Sequence, residues 1–142
     1  MRLRLLAAAA VLAMSVSSAK ADPTFWQYEW PDTDFETTTI ENWTEILSGG
    51  PPKDGIPSLD EVSWLDAAEE TRLTPAEAVI TLEVDGEKPR AYPIRYLMWH
   101  EIVNDEVGGM PVAVTYCPLC NSGLTFDRRV DGKVLSFGVS GK

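Results

Sequence analysis

The rhythm of hydrophobic and polar positions changes near residue 78. From residue 22 to about residue 57, apolar side chains are scattered among Thr, Pro, Gly and Asp, with one short periodic stretch at residues 40–47. That pattern predicts an irregular Pro/Trp-rich arm with one short helix, held down by its aromatics. Gly49-Gly50-Pro51-Pro52 rules out a regular element, and Lys53-Asp54-Gly55 predicts a turn. Residues 58–70 have room for one or two helical turns, and Thr74-Pro75-Ala76-Glu77 leads into a strand.

Beyond residue 78 the signals sharpen. Residues 78–84 read as a strand, Asp85-Gly86 as a hairpin turn and residues 90–94 as the partner strand, with Pro89 and Pro93 placed as an edge tolerates. Residues 95–103 carry Tyr96, Met98, Trp99, Ile102 and Val103 around most of a helical circumference, which predicts a short buried helix. Residues 104–109 read as a loop, 110–116 as a strand, and 124–130 with 134–139 as a hairpin about Asp131-Gly132. The predicted fold is α+β and mainly β, made of strands and hairpins with one short buried helix.

The N-terminal pattern is of another kind. Arg2 and Arg4 precede an apolar stretch at residues 5–14, and Ala19-Lys20-Ala21 offers small residues at the positions a signal peptidase reads. Residues 1–21 therefore read as a secretory signal peptide cleaved near Ala21, which implies a periplasmic or extracellular protein. The stretch is about half the roughly 20 residues of a membrane-spanning helix, and no later segment is that long and apolar, so no membrane span is expected. Cleavage removes three of the 12 basic residues and none of the 22 acidic ones, leaving a net charge of −13 on the mature chain. Nucleic acid and anionic lipid are poor partners for such a surface. The 121 mature residues suit the arm at 22–57 and a single domain at 58–142.

Candidate chemistry concentrates in Thr-Tyr-Cys-Pro-Leu-Cys-Asn-Ser-Gly at residues 115–123, which holds the chain's two cysteines. A disulfide between Cys117 and Cys120 closes so short a loop that its entropic benefit is at best about 2 kcal/mol, less than half that of a loop of about a hundred residues. The spacing suits exchange chemistry or metal binding better than stapling. Strand patterns flank the motif on both sides, whereas a thioredoxin-type pair opens a helix whose dipole lowers the first thiol's pKa. A thioredoxin-like fold is not expected. Both sulfurs should instead lie on one side of a turn between strands, at least one of them accessible.

Further motifs accompany the pair: Ala-Tyr-Pro-Ile-Arg at 91–95, Trp-His-Glu-Ile-Val-Asn-Asp at 99–105, Gly-Gly-Met-Pro-Val-Ala-Val-Thr-Tyr-Cys-Pro-Leu-Cys-Asn at 108–121 and Phe-Asp-Arg at 126–128. Together they resemble the prokaryotic family catalogued as domain of unknown function 3179, over roughly residues 55–142. The resemblance names no reaction. Some members are selenoproteins with selenocysteine in the cysteine motif, which implies redox chemistry at Cys117 and Cys120. Members run on past the position matching Lys142, so the resemblance also implies that this chain holds the N-terminal part of the domain and should be unstable or aggregate alone.

Three functions follow from these residues. In the first, one thiolate attacks a disulfide or oxidised substrate and the second cysteine resolves the intermediate, with an unknown redox partner or thiol substrate and no cofactor. Cys117 is the favoured nucleophile, on the expectation that the first cysteine is the more exposed. Pro118 stiffens the turn, and Arg128 or Arg129 would stabilise a thiolate if the hairpin folded back over it. In the second, Cys117, Cys120 and His100 hold copper or zinc, a soft two-sulfur site suiting Cu(I). His100 on a largely apolar helix has a structural role as its alternative. In the third, the exported chain is a non-catalytic binding module using Trp26, Tyr28, Trp30 and Trp43. One histidine without a nucleophile motif excludes a Ser-His-Asp triad.

Overall fold

The computed structural model describes residues 26–35, 37 and 45–142. The proposed signal peptide, most of the predicted helix at 40–47 and Trp43 lie outside the described residues. The chain divides into two units, residues 1–47 and 48–142. In the first, the amides of Glu29 and Trp30 donate to the Trp26 carbonyl, and the Trp26 and Trp30 rings meet edge-on at 6.2 Å.

The second unit is built from short antiparallel strands and one helix, the α+β, mainly β class that the sequence predicts. Strands β1 (Val79–Leu82) and β2 (Arg90–Pro93) form a hairpin in the register Ile80↔Tyr92, which puts these two large side chains on one face. Its turn is closed by the Glu87 amide on the Val84 carbonyl, with Gly86 at φ +82°. Pro93, in extended conformation, starts helix α1 (Ile94–His100), whose end is capped by the Glu101 amide on the Leu97 carbonyl. Three strands follow as one sheet: β3 (Ile102–Val107), β4 (Met110–Cys117) and β5 (Ser122–Asp127). Gly108 and Gly109, both at positive φ, make the two-residue turn between β3 and β4. A last hairpin, β6 (Arg129–Val130) and β7 (Lys133–Val134), turns about Asp131 and Gly132.

Three sequence expectations are corrected. Residues 102–107 form a strand where the helix was expected to end in a loop. Their central residues Asn104 and Asp105 look like loop residues in sequence, but both are buried with partners. The Asn104 amide nitrogen donates to Asp60 at 2.6 Å and to the Phe137 carbonyl at 2.8 Å, while its oxygen accepts from the Phe137 amide at 3.0 Å. Secondly, α1 is not a buried helix. Two turns bury only Leu97 fully, 1% exposed, with Ile94 partly buried against the core, and leave Met98 and Trp99 outward, the latter 77% exposed. Thirdly, β7 ends at Val134. The backbone beyond it bonds elsewhere, at Leu135 to Arg128, at Phe137 to Asn104 and at Val139 to the Asp54 amide.

The core gathers Tyr92, Leu97, Val103, Val114 and Tyr116, with Leu59, Ile80 and Ile94 packed against them. Leu59 covers the outer edge of β3 through paired backbone bonds with Ile102 and Asn104. At Gly123 a Cβ would stand 2.6 Å from the Ile80 side chain. The β1–β2 hairpin therefore approaches the sheet closely one residue into β5, beside the cysteine turn.

Candidate functional site

Cys117 is the last residue of β4 and pairs with Ser122, the first of β5, so residues 118–121 form the hairpin tip. Asn121 takes a positive φ of 47°, a conformation asparagine tolerates better than most side chains. Its side-chain Oδ1 accepts the Tyr116 hydroxyl at 2.8 Å, which ties the tip to a buried core aromatic. Leu119 stands outward at the tip, 89% exposed.

The turn brings both sulfurs to one side. Cys117 and Cys120 are free thiols with Sγ atoms 2.6 Å apart, and the Cys120 amide donates to the Cys117 sulfur at 3.2 Å. Cys120 is the exposed member and Cys117 is half-buried, which reverses the expected order of exposure. Hydrogen bonding to Cys117, then desolvation, the charge of Cys117 and that of Glu101 push the Cys120 thiol above its ordinary value of 9.0. Proton retention on Cys120 and the amide donated to Cys117 give the two sulfurs different chemistry.

The other candidates go elsewhere. The Nδ1 of His100 lies 2.9 Å from the Pro57 carbonyl oxygen and acts as the donor there. Among the described residues no three His, Cys, Asp or Glu side chains are grouped to hold a metal, so Cys117, Cys120 and His100 are not gathered as a ligand set. Arg129 forks onto Asp127, with Nε 2.9 Å from Oδ1. Arg128 donates to the carbonyls of Leu135 at 2.8 Å and Asp105 at 3.1 Å, joining β3 to the last hairpin. Neither arginine is committed to the thiols.

A second constellation joins Tyr92 of the 91–95 motif and Asp105 of the 99–105 motif with Arg90 and Trp64, which lie outside them. The buried Asp105 carboxylate accepts the Tyr92 hydroxyl at 2.8 Å and is ion-paired with the Arg90 guanidinium. Arg90 lies over the Trp64 ring, 4.7 Å from its centroid, and Trp64 meets Tyr92 edge-on at 5.2 Å. Burial first, then the Asp105 carboxylate, holds the Tyr92 hydroxyl protonated well beyond its ordinary range. This group borders a cleft of about 630 Å³ between residues 59–75 and β2 with α1. Nothing in the sequence pairs these residues, because Asp105 and Trp64 lie 13 and 28 residues from Tyr92.

Among known families, the model described as "Protein of unknown function (DUF3179)" matches residues 53–142. No curated protein and no solved structure matches the chain.

Proposed function

We propose that this chain, which belongs to the family of proteins of unknown function DUF3179, acts outside the cytoplasm as a thiol–disulfide redox protein through Cys117 and Cys120. The observation that carries the reading is the pair itself: two free sulfurs 2.6 Å apart on a strand-to-strand turn, with the Cys120 amide aimed at the Cys117 sulfur. In the proposed cycle, the Cys117 thiolate attacks a substrate disulfide and forms a mixed disulfide, releasing one substrate thiolate. Cys120 then loses its proton and attacks the Cys117 sulfur. The internal disulfide forms and the second substrate thiolate leaves, so two electrons and both thiol protons pass to the substrate. A backbone donor at Cys117 supports its role as nucleophile, and proton retention by Cys120 supports its role as the resolving thiol.

The test uses oxidised glutathione as the substrate disulfide. Cys120→Ser should accumulate a glutathione adduct on Cys117, visible by mass, while Cys117→Ser forms little. Metal near one equivalent in the purified protein, lost alike from both variants with no adduct in either, would replace the redox reading with the metal-binding one.

A further inference from the structure

We infer that the cleft beside Trp64 is a binding site for a small amine carrying an aromatic ring, a site separate from the thiol pair and independent of the redox reading. Its volume of about 630 Å³ falls inside the range of small-molecule sites, roughly 300–1,000 Å³. The walls are largely apolar, formed by Val62, Leu73, Pro75 and Val79, with Leu97 behind them. Neither cysteine lines it.

The aromatic surface is held in advance of any ligand. Trp64 is fixed by the Arg90 guanidinium over its ring and by the Tyr92 edge, and both of those side chains are fixed by the buried Asp105 carboxylate. Trp64 nevertheless remains 41% exposed, and Tyr96, also on the cleft wall, is exposed as well. Fixed, accessible aromatic side chains favour a flat ring that stacks on them, and preorganisation removes the ordering cost of binding.

Charge selects the other end of the ligand. Both arginines on the wall are already engaged, Arg90 by Asp105 and Arg72 by Glu70 at 2.5 Å, so an anionic ligand finds no unpaired cation. The carboxylates left are Glu61, on the wall with no bonded partner among the described residues, and Asp66, whose ion partner is the exposed Lys88 at 3.7 Å. The chain as a whole carries a net charge of −10, which draws cations and repels anions at long range. An ammonium group at the mouth with its ring against Trp64 satisfies both features.

The experiment titrates the full chain by calorimetry with two probes of like ring and opposite charge, tryptamine and indole-3-acetate. Tryptamine should bind saturably at one site, and indole-3-acetate about tenfold more weakly, as swapping attraction for repulsion at two partly exposed carboxylates predicts. Trp64→Ala should abolish tryptamine binding. Glu61→Gln combined with Asp66→Asn alters exposed side chains only, leaves thermal stability unchanged, and should bring the two probes to within about twofold of each other. No saturable tryptamine binding to the wild type, equal binding of both probes, or a preference that survives the double charge substitution would each overturn the assignment.

Discussion

Cys117 and Cys120 share one short turn, yet their surroundings separate their chemistry. Cys120 is the more exposed sulfur, but its thiol sits above its ordinary value because Cys117, desolvation and Glu101 all favour its proton. Exposure and reactivity should therefore disagree. In the wild-type dithiol, iodoacetamide labelling quantified by peptide mass should modify Cys117 ahead of Cys120 below pH 9, and a faster Cys120 would reverse the assigned roles. Tyr92 and Asp105 make a second residue-scale case. Asp105→Asn leaves the half-buried Arg90 without its carboxylate and should cost about 2–3 kcal/mol in chemical denaturation, with Tyr92→Phe costing about 1. Because folding raises the Tyr92 hydroxyl above its ordinary value of 10.0, its contribution is complete below that pH and declines as pH rises beyond it. The stability difference between wild type and Tyr92→Phe should accordingly shrink in alkaline solution. The cysteines were legible in the sequence because their spacing is local. The Trp64, Arg90, Tyr92 and Asp105 group was not, since it exists only once β2, β3 and the segment before β1 have packed.

At the scale of elements, the turns were the most readable parts. The chain reverses at both Asp85-Gly86 and Asp131-Gly132, with Gly86 alone at positive φ in the first turn and both Asp131 and Gly132 at positive φ in the second. Strand β3 was hidden because its polar centre is buried with partners from distant segments, Asp60 and Phe137 for Asn104, and Arg90 and Tyr92 for Asp105. Composition cannot distinguish a satisfied buried amide from a solvated one. Helix α1 misled in the opposite direction, with apolar residues on nearly every side but only Leu97 fully buried and Ile94 partly so. Leu97→Ala should thus lower stability by about 2–5 kcal/mol, whereas Trp99→Ala, on the same helix, should change it by less than about 1. Gly123 marks where the β1–β2 hairpin meets the sheet. Gly123→Ala forces Ile80 aside and should cost about 1–3 kcal/mol, measured by urea denaturation.

For the molecule as a whole, acidity was plain in the composition, and its consequences are chiefly long-range. The exposed pairs Glu70–Arg72 and Asp127–Arg129 hold their carboxyls at about 2, against ordinary values of 4.5 and 3.8. With folded values below unfolded ones, whatever these pairs contribute is present above pH 4.5 and fades toward pH 2. Solvent screening keeps it small, so Glu70→Gln should leave the urea denaturation midpoint at neutral pH nearly unchanged. Stability should instead follow the core about Leu97 and Val114 and the buried Asp105 cluster. The resulting frame places the thiol turn at one end of the three-stranded sheet.

The redox reading is tested most directly by equilibrating the protein in glutathione buffers of graded oxidation, trapping the free thiols by alkylation and weighing the products. A reversible two-electron transition between the dithiol and an internal Cys117–Cys120 disulfide, absent from both single-serine variants, is the predicted result. A dithiol that persists at every buffer ratio, or cysteines that oxidise only between chains, would contradict it.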